Sequence, residues 1–227
     1  MFNTIAYKYD FLNHFLSLNI DKVWRKKLIK ILSSDLASME NPTILDIATG
    51  TADLAIAAST IPNVKITGLD IAEGMLAIGQ QKINKLNLTT IIELKIGDAE
   101  NIPFANNTFG SVMVAFGVRN FSNLQKGLSD CFRVLKPGGH MYIIEFSTPQ
   151  AFPIKQLYAV YFKYVLPALG HVFSKHASAY TYLNKSVLEF PKNEAFLNEL
   201  SAVGFNNLRK KSLTLGIANI YMAQKKR

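Results

Sequence analysis

Residues 43–58 read TILDIATGTADLAIAA. An apolar run from Thr43 to Ile47 carries one aspartate, Asp46, then opens into small residues before apolar positions return at helical spacing. Small residues and a glycine where a strand turns into a helix let a ligand reach backbone that side chains would otherwise cover. Gly50 can take a left-handed conformation, and Ala48 and Ala52 keep the approach open. Thr51 falls near the helix start, where unpaired N–H groups and the positive end of the dipole favour a carboxylate. An ordinary strand-to-helix turn reads similarly, because this stretch is not a full G-x-G-x-x-G. Its neighbours decide.

Outward from this stretch, strand patterns at 43–47, 64–69, 91–96, 111–116 and 139–146 alternate with helical patterns at 53–60, 72–86 and 122–135. The strands are short and near-continuously apolar, as parallel strands covered on both faces should be. LKPGGHMYIIEF at 135–146 reads as a helix stop, a Pro-Gly-Gly turn and a buried strand. Residues 2–38 read as two helices, closed by Pro42. Beyond 147 the rhythm changes to an aromatic-rich helical stretch at 150–190, a helix at 193–202, and two strands joined near Leu215-Gly216. The fold class is therefore α/β, Rossmann-like and doubly wound. Its sheet is mostly parallel with an antiparallel C-terminal strand, preceded by N-terminal helices and interrupted by a helical insertion before the last two strands. The expected organisation is one domain, 1–227. It comprises a helical cap at 1–38, a ligand-binding core at 43–147, a helical substrate insertion at 148–192, and a helix with hairpin at 193–227.

Hydrophobic residues make up 49% of the 227, enough for one substantial core and a poor fit to two domains. A single cysteine, Cys131, excludes an internal disulfide framework and makes a reducing cytoplasm the default. No basic stretch followed by an apolar segment opens the chain, so no secretory signal is expected. The most apolar segment, 157–173, is broken by Lys163 and Pro167, which argues against a spanning helix. The formal net charge of +9 is concentrated in WRKKLIK (24–30), LRKKS (208–212) and the terminal QKKR. Such clusters suit nucleic acid, an anionic membrane or an acidic substrate. Three short, scattered clusters read first as solvated surface.

In open α/β sheets the ligand sits beyond the carboxyl ends of the strands. The second strand ends in KITGLDIAEGML, and Asp70 lies 24 residues after Asp46, as suits a carboxylate that accepts from both ribose hydroxyls. A helix N-cap is the competing reading, since Glu73 follows three residues later. The third strand ends in LKIGDAEN, where Asp98 with Ala99 can clamp an adenine through carboxylate and backbone N–H. A plain turn aspartate is the alternative there. Three acidic strand ends together describe an adenosine-bearing cofactor. No Walker-type G-K-[ST] follows the first strand, which argues against a nucleoside triphosphate.

LDIATGTADLA, GLDIAEGML, GDAENIPFANNTF, FGVRN and RVLKPGGHMYIIEFSTP resemble, in order and spacing, the class I S-adenosylmethionine-dependent methyltransferases. More narrowly, the chain resembles the demethylmenaquinone/ubiquinone-precursor C-methyltransferase family, which YDFLNHFLSLNIDKVWRKK and YTYLNKSVLEFP also match. The resemblance covers nearly the whole chain and implies S-adenosylmethionine contacts at Gly50, Thr51, Asp70 and the Asp98-Ala99 pair. Three departures stand out. Members often have glycine where this chain has Ala48 or Ala52, many have serine where it has Ala115, and the family usually has further residues before MFNTIAYKYD.

The resemblance implies transfer of a methyl group to a ring carbon of a prenylated quinol, most directly demethylmenaquinol to menaquinol. Deprotonating a ring hydroxyl makes its ortho carbon nucleophilic. The enzyme must then align the reacting atoms, exclude water and stabilise the phenolate. No metal is called for, and no zinc-type cysteine–histidine spacing exists. Arg119 is the expected catalytic group, stabilising the phenolate or holding a water that removes the proton; a structural ion pair is the alternative. Tyr180 and Tyr182 are assigned to the substrate, with His171 in the same stretch and His176 read as surface. The stripe of Tyr158, Tyr161, Phe162 and Tyr164 reads as core, although a prenyl tail needs such a wall. The partners implied are the prenylated quinol, an anionic membrane surface and a second copy of the chain as a homodimer, with no nucleic acid. The enzyme would act from the cytoplasm at the inner face of the membrane. The rivals are a methyltransferase acting on RNA or another small molecule, suggested by the charge, and a non-catalytic cofactor-binding scaffold.

Overall fold

The computed structural model describes residues 20–160 and 186–227. The expected helix before Ile20 and most of the helical insertion lie outside the described residues, and with them Tyr180, Tyr182, His171 and His176. The first described element, α1 (Ile20–Leu36), buries Trp24, Leu28, Leu32 and Leu36 along one face, the i, i+4 spacing of an amphipathic helix. Each buried leucine is worth about 1.5–3 kcal/mol relative to exposure. Two hydrogen bonds pin this helix, one to the 3₁₀ turn Thr214–Gly216 and one to the sheet: Trp24 Nε1 donates to Thr214 Oγ1 at 2.8 Å, and Tyr142 Oη donates to Asp35 Oδ2 at 2.6 Å.

The alternation then follows as β1 (Thr43–Ile47), α2 (Asp53–Ala58), β2 (Lys65–Asp70), α3 (Glu73–Lys85), β3 (Ile92–Ile96), β4 (Phe109–Ala115), α4 (Leu124–Val134) and β5 (Leu135–Phe146). After α5 (Ile154–Val160) come α6 (Glu194–Val203), β6 (Asn206–Leu213) and β7 (Ala218–Gln224). The seven strands form one sheet of order β3-β2-β1-β4-β5-β7-β6. The first five are parallel, and β7 lies antiparallel between β5 and β6. This is the expected doubly wound sheet with an antiparallel C-terminal strand. One apolar cluster fills the face under α1–α3, and a second, including Leu128, Phe196 and Tyr221, fills the face under α4 and α6.

Of the boundaries that differ from the sequence pattern, two have clear local reasons. The helix expected at 122–135 starts at Leu124, because the Asn123 side chain caps it by accepting from the Lys126 N–H at 3.0 Å. The last parallel strand starts at Leu135 rather than 139. Its pairing with β4 jumps from Phe109↔Leu135 to Ser111↔His140, so the Pro-Gly-Gly segment bulges out of a continuous strand instead of preceding it.

Candidate active site

The order reversal between β1 and β4 opens a crevice at their carboxyl ends. A cavity of about 330 Å³ lies there, and Gly50, Thr51, Asp70, Asp98 and Ala99 all line it. The loop leaving β1 takes three alternate residues into the left-handed region: Ala48 (φ 51°), Gly50 (φ 57°) and Ala52 (φ 64°). An L-residue with a Cβ is disfavoured there by about 1–2 kcal/mol. Ala48 and Ala52 thus bring methyl groups into left-handed positions, and these must be housed. Gly117 houses one: a Cβ on Gly117 would fall 2.6 Å from the Ala48 Cβ.

Asp70 ends β2 and ties two loops together. Its Oδ2 accepts from the Gly50 N–H and its Oδ1 from the Ala72 N–H, both at 2.8 Å. It is not the side-chain cap of α3, whose N-cap is Ala72 with no side-chain bond. Burial raises the Asp70 pKa above the ordinary carboxylate value, against the pull of those backbone donors. Asp98 is exposed and Oδ1 accepts from the Glu100 N–H at 2.9 Å, a turn geometry that still leaves its carboxylate on the cavity wall. Asp46, at the end of β1, is 1% exposed and accepts from Thr49 Oγ1 at 2.6 Å. Burial pushes its pKa up to about 7, although the Thr49 hydrogen bond and the charge of Arg25 oppose this.

Thr51 lines the cavity but its hydroxyl accepts from Lys82 Nζ at 2.8 Å. The helix that follows has only six residues and begins with Asp53, a poor setting for the carboxylate that the sequence pattern placed at its start. A cation is supplied from elsewhere: Arg25 of α1 lines the cavity, and its side chain is only 10% exposed. In the sequence Arg25 belongs to the basic run WRKKLIK, which reads as solvated surface. Lys26, Lys27 and Lys30 are indeed exposed, whereas Arg25 lies on the buried face with Trp24 and Leu28. The available signal was its spacing: it sits four residues after Asp21 and three before Leu28.

Arg119 follows β4 in a single 3₁₀ turn, Val118–Asn120. Gly117, Asn120 and Phe121 from the same turn line the cavity, while Arg119 does not. Its side chain is fully enclosed, with Nη1 2.7 Å from Glu145 Oε1 and donating to the Phe116 carbonyl at 2.6 Å. The guanidinium also lies over the Phe146 ring, 5.4 Å from its centroid. Phe116 itself holds φ 58°, an outlier for a bulky residue, and packs against Phe146 at 4.6 Å between centroids. Trp24 joins the same cluster, 6.1 Å from each ring.

A doubly wound sheet with β7 antiparallel beside β5, and acidic residues ending β1 and β2 around a crevice, is an architecture shared with solved S-adenosylmethionine-dependent methyltransferases. Phosphoethanolamine N-methyltransferase 2 of Haemonchus contortus, solved with S-adenosyl-L-methionine, shares this fold at a TM-score of 0.62 and 16% identity; the match covers 86% of this chain and 52% of that one. The chain belongs to the ubiE/COQ5 methyltransferase family, whose profile matches residues 1–225. It is 44% identical to the demethylmenaquinone methyltransferase of Bacteroides fragilis, covering 99% of this chain and 91% of the relative. It is 45% identical to the ubiquinone/menaquinone biosynthesis C-methyltransferase UbiE of Geotalea daltonii, covering 99% and 94%.

Proposed function

We propose that this enzyme transfers a methyl group from S-adenosylmethionine to a ring carbon of a prenylated quinol, converting demethylmenaquinol to menaquinol in respiratory quinone biosynthesis. Whole-length identity of 44% to a demethylmenaquinone methyltransferase carries the reading. The residues around the crevice suit the cofactor. Asp46, Asp70 and Asp98 offer carboxylates to its hydroxyls, amine and positive charges, and the buried Arg25 Nε has no hydrogen-bond partner. When bound, S-adenosylmethionine supplies an electrophilic methyl group.

In this reading Asp70 accepts from the ribose hydroxyls and Asp98 with Ala99 holds the adenine. Gly50 and Thr51 line the methionine end. Arg119 enters as a positioning residue: through Glu145 and the Phe116 carbonyl it fixes the turn that presents Gly117 and Asn120 to the cavity. Its full enclosure supports that role over contact with a phenolate. Tyr180 and Tyr182 remain assigned to the substrate by the family resemblance. Incubating the enzyme with tritium-methyl-labelled cofactor and a demethylnaphthoquinol should put label into the lipid extract; label in added RNA instead, or in neither, overturns the proposal.

The quinol's prenyl tail partitions into a bilayer, so the enzyme would meet it at the inner face of an anionic membrane. Phe152, Leu157 and Val160 support this, being 82%, 63% and 53% exposed around Lys155. Among the described residues no helix is long and apolar enough to cross a membrane. A surface-lying segment with basic neighbours gains about 1 kcal/mol per Lys or Arg near an anionic leaflet. Flotation with anionic vesicles should show binding that fades with salt; no binding at low salt, even with the quinol present, removes the membrane contact.

A further inference from the structure

We infer that Arg25 is a specificity-determining cofactor residue: it receives the carboxylate of the methionine moiety and thereby sets the direction in which S-adenosylmethionine lies along the crevice. The inference rests on the proposed placement of adenosine at Asp70 and Asp98. Five acidic residues line the cavity: Asp46, Asp53, Asp70, Asp98 and Glu100. Among the described residues Arg25 is the single cation lining it. The ligand bears two positive centres and one carboxylate. Its positive centres find carboxylates at several places on this wall, whereas Arg25 is the cationic side chain on it that can receive the carboxylate; the nearby Lys82 is already engaged by Thr51 and Asp53.

The rest of the geometry agrees. The six-residue α2 opens with Asp53 and offers an anion little. Arg25 is held by an i, i+4 ion pair with Asp21 and stands 3.9 Å from Asp53, its guanidinium 5.9 Å from the centre of the Phe116 ring. Those partners engage one end of the planar fork, while the buried Nε–H is unpartnered. An unmet buried donor is unfavourable unless a ligand supplies the acceptor. Because α1 is pinned through Trp24 to the turn at Thr214 and through Asp35 to the sheet, the cation is presented on a fixed element.

Calorimetry on the full-length protein tests this without turnover. Two probes share the adenosine part: S-adenosylhomocysteine carries the amino-acid carboxylate, and 5′-methylthioadenosine does not. Arg25→Gln should weaken S-adenosylhomocysteine by about 30-fold and leave 5′-methylthioadenosine within about 3-fold. Should Arg25→Gln fail to fold, Arg25→Lys keeps the charge but loses the fork, and a smaller loss confined to S-adenosylhomocysteine is expected. Equal losses for both probes, or no loss for either, overturn the assignment. Asp70→Ala separates the underlying reading: it should weaken both probes alike, and if 5′-methylthioadenosine is unaffected the adenosine placement fails and the direction argued here falls with it.

Discussion

At the carboxyl end of β1, Asp46 is 1% exposed and accepts from the Thr49 hydroxyl on the edge of an open cavity. At the carboxyl end of β5, two strands away, Glu145 is 0% exposed and accepts from the Arg119 guanidinium at 2.7 Å and the Phe146 N–H at 2.9 Å. Burial is the same and the partners differ. A full cation within hydrogen-bond reach offsets the desolvation of Glu145 and closes its site. Asp46 has neutral donors and a more distant arginine, so its ionised form is disfavoured and its surroundings stay open to a charged ligand. One half of the sheet's carboxyl edge thus becomes a cavity wall and the other a fixed strut behind it.

Breaking the strut should have the largest effect. Glu145→Ala leaves Arg119 buried without its carboxylate, which costs about 3–5 kcal/mol, and denaturant unfolding should show that loss. A loss under about 1 kcal/mol would mean that the two ends are not as different as their partners imply.

On the wall, Asp70→Ala should leave stability less affected but weaken S-adenosylhomocysteine by about 1.5–3 kcal/mol per charged hydrogen bond removed. Wild-type affinity in calorimetry would reduce Asp70 to a tie between the Gly50 and Ala72 loops.

Asp46 sharpens the contrast through pH. Its folded pKa of about 7 exceeds the ordinary 3.8, so between about pH 4 and pH 7 the folded protein holds a proton that the unfolded chain releases. Stability from this group is therefore fully present below pH 4, falls as pH rises to about 7, and is flat above. Between pH 5 and 6 the change is on the order of 1 kcal/mol. Asp46→Asn should flatten that slope in ligand-free protein; an unchanged slope would assign it to another group.

The smallest effect concerns the loop between them. Ala48→Gly relieves a left-handed alanine at φ 51° but adds freedom to the unfolded chain, for a net gain of about 0.5 kcal/mol. A loss in melting temperature would show instead that the Ala48 methyl, seated against Gly117, contributes packing that outweighs its backbone strain.

The repeating units were legible because they rest on local chemistry. Val, Ile and Leu runs ended by aspartates, small loop residues, and helical spacing after each loop are properties of consecutive residues, and they located β1–β4 with Asp70, Asp98 and the Gly50 loop. Asn123 as a cap and the bulge at Pro137–Gly139 shifted boundaries by a few residues without altering the order. The family too was readable, since IEFSTP and FGVRN are continuous strings.

What the amino-acid order alone determined is therefore the α/β alternation, the acidic strand ends and the methyltransferase family. What only the tertiary structure decided is which charges face which. Arg25 looks like one of four basic residues in a surface run, yet docking of α1 through Trp24 and Leu28 turns it inward to the cavity. Arg119 reads in the sequence as a charge at a strand end, and β5 brings Glu145 beside it from 26 positions along the chain and encloses both. Charge and residue type are local properties; solvation and pairing depend on long-range packing, and those fix what a charged group can do.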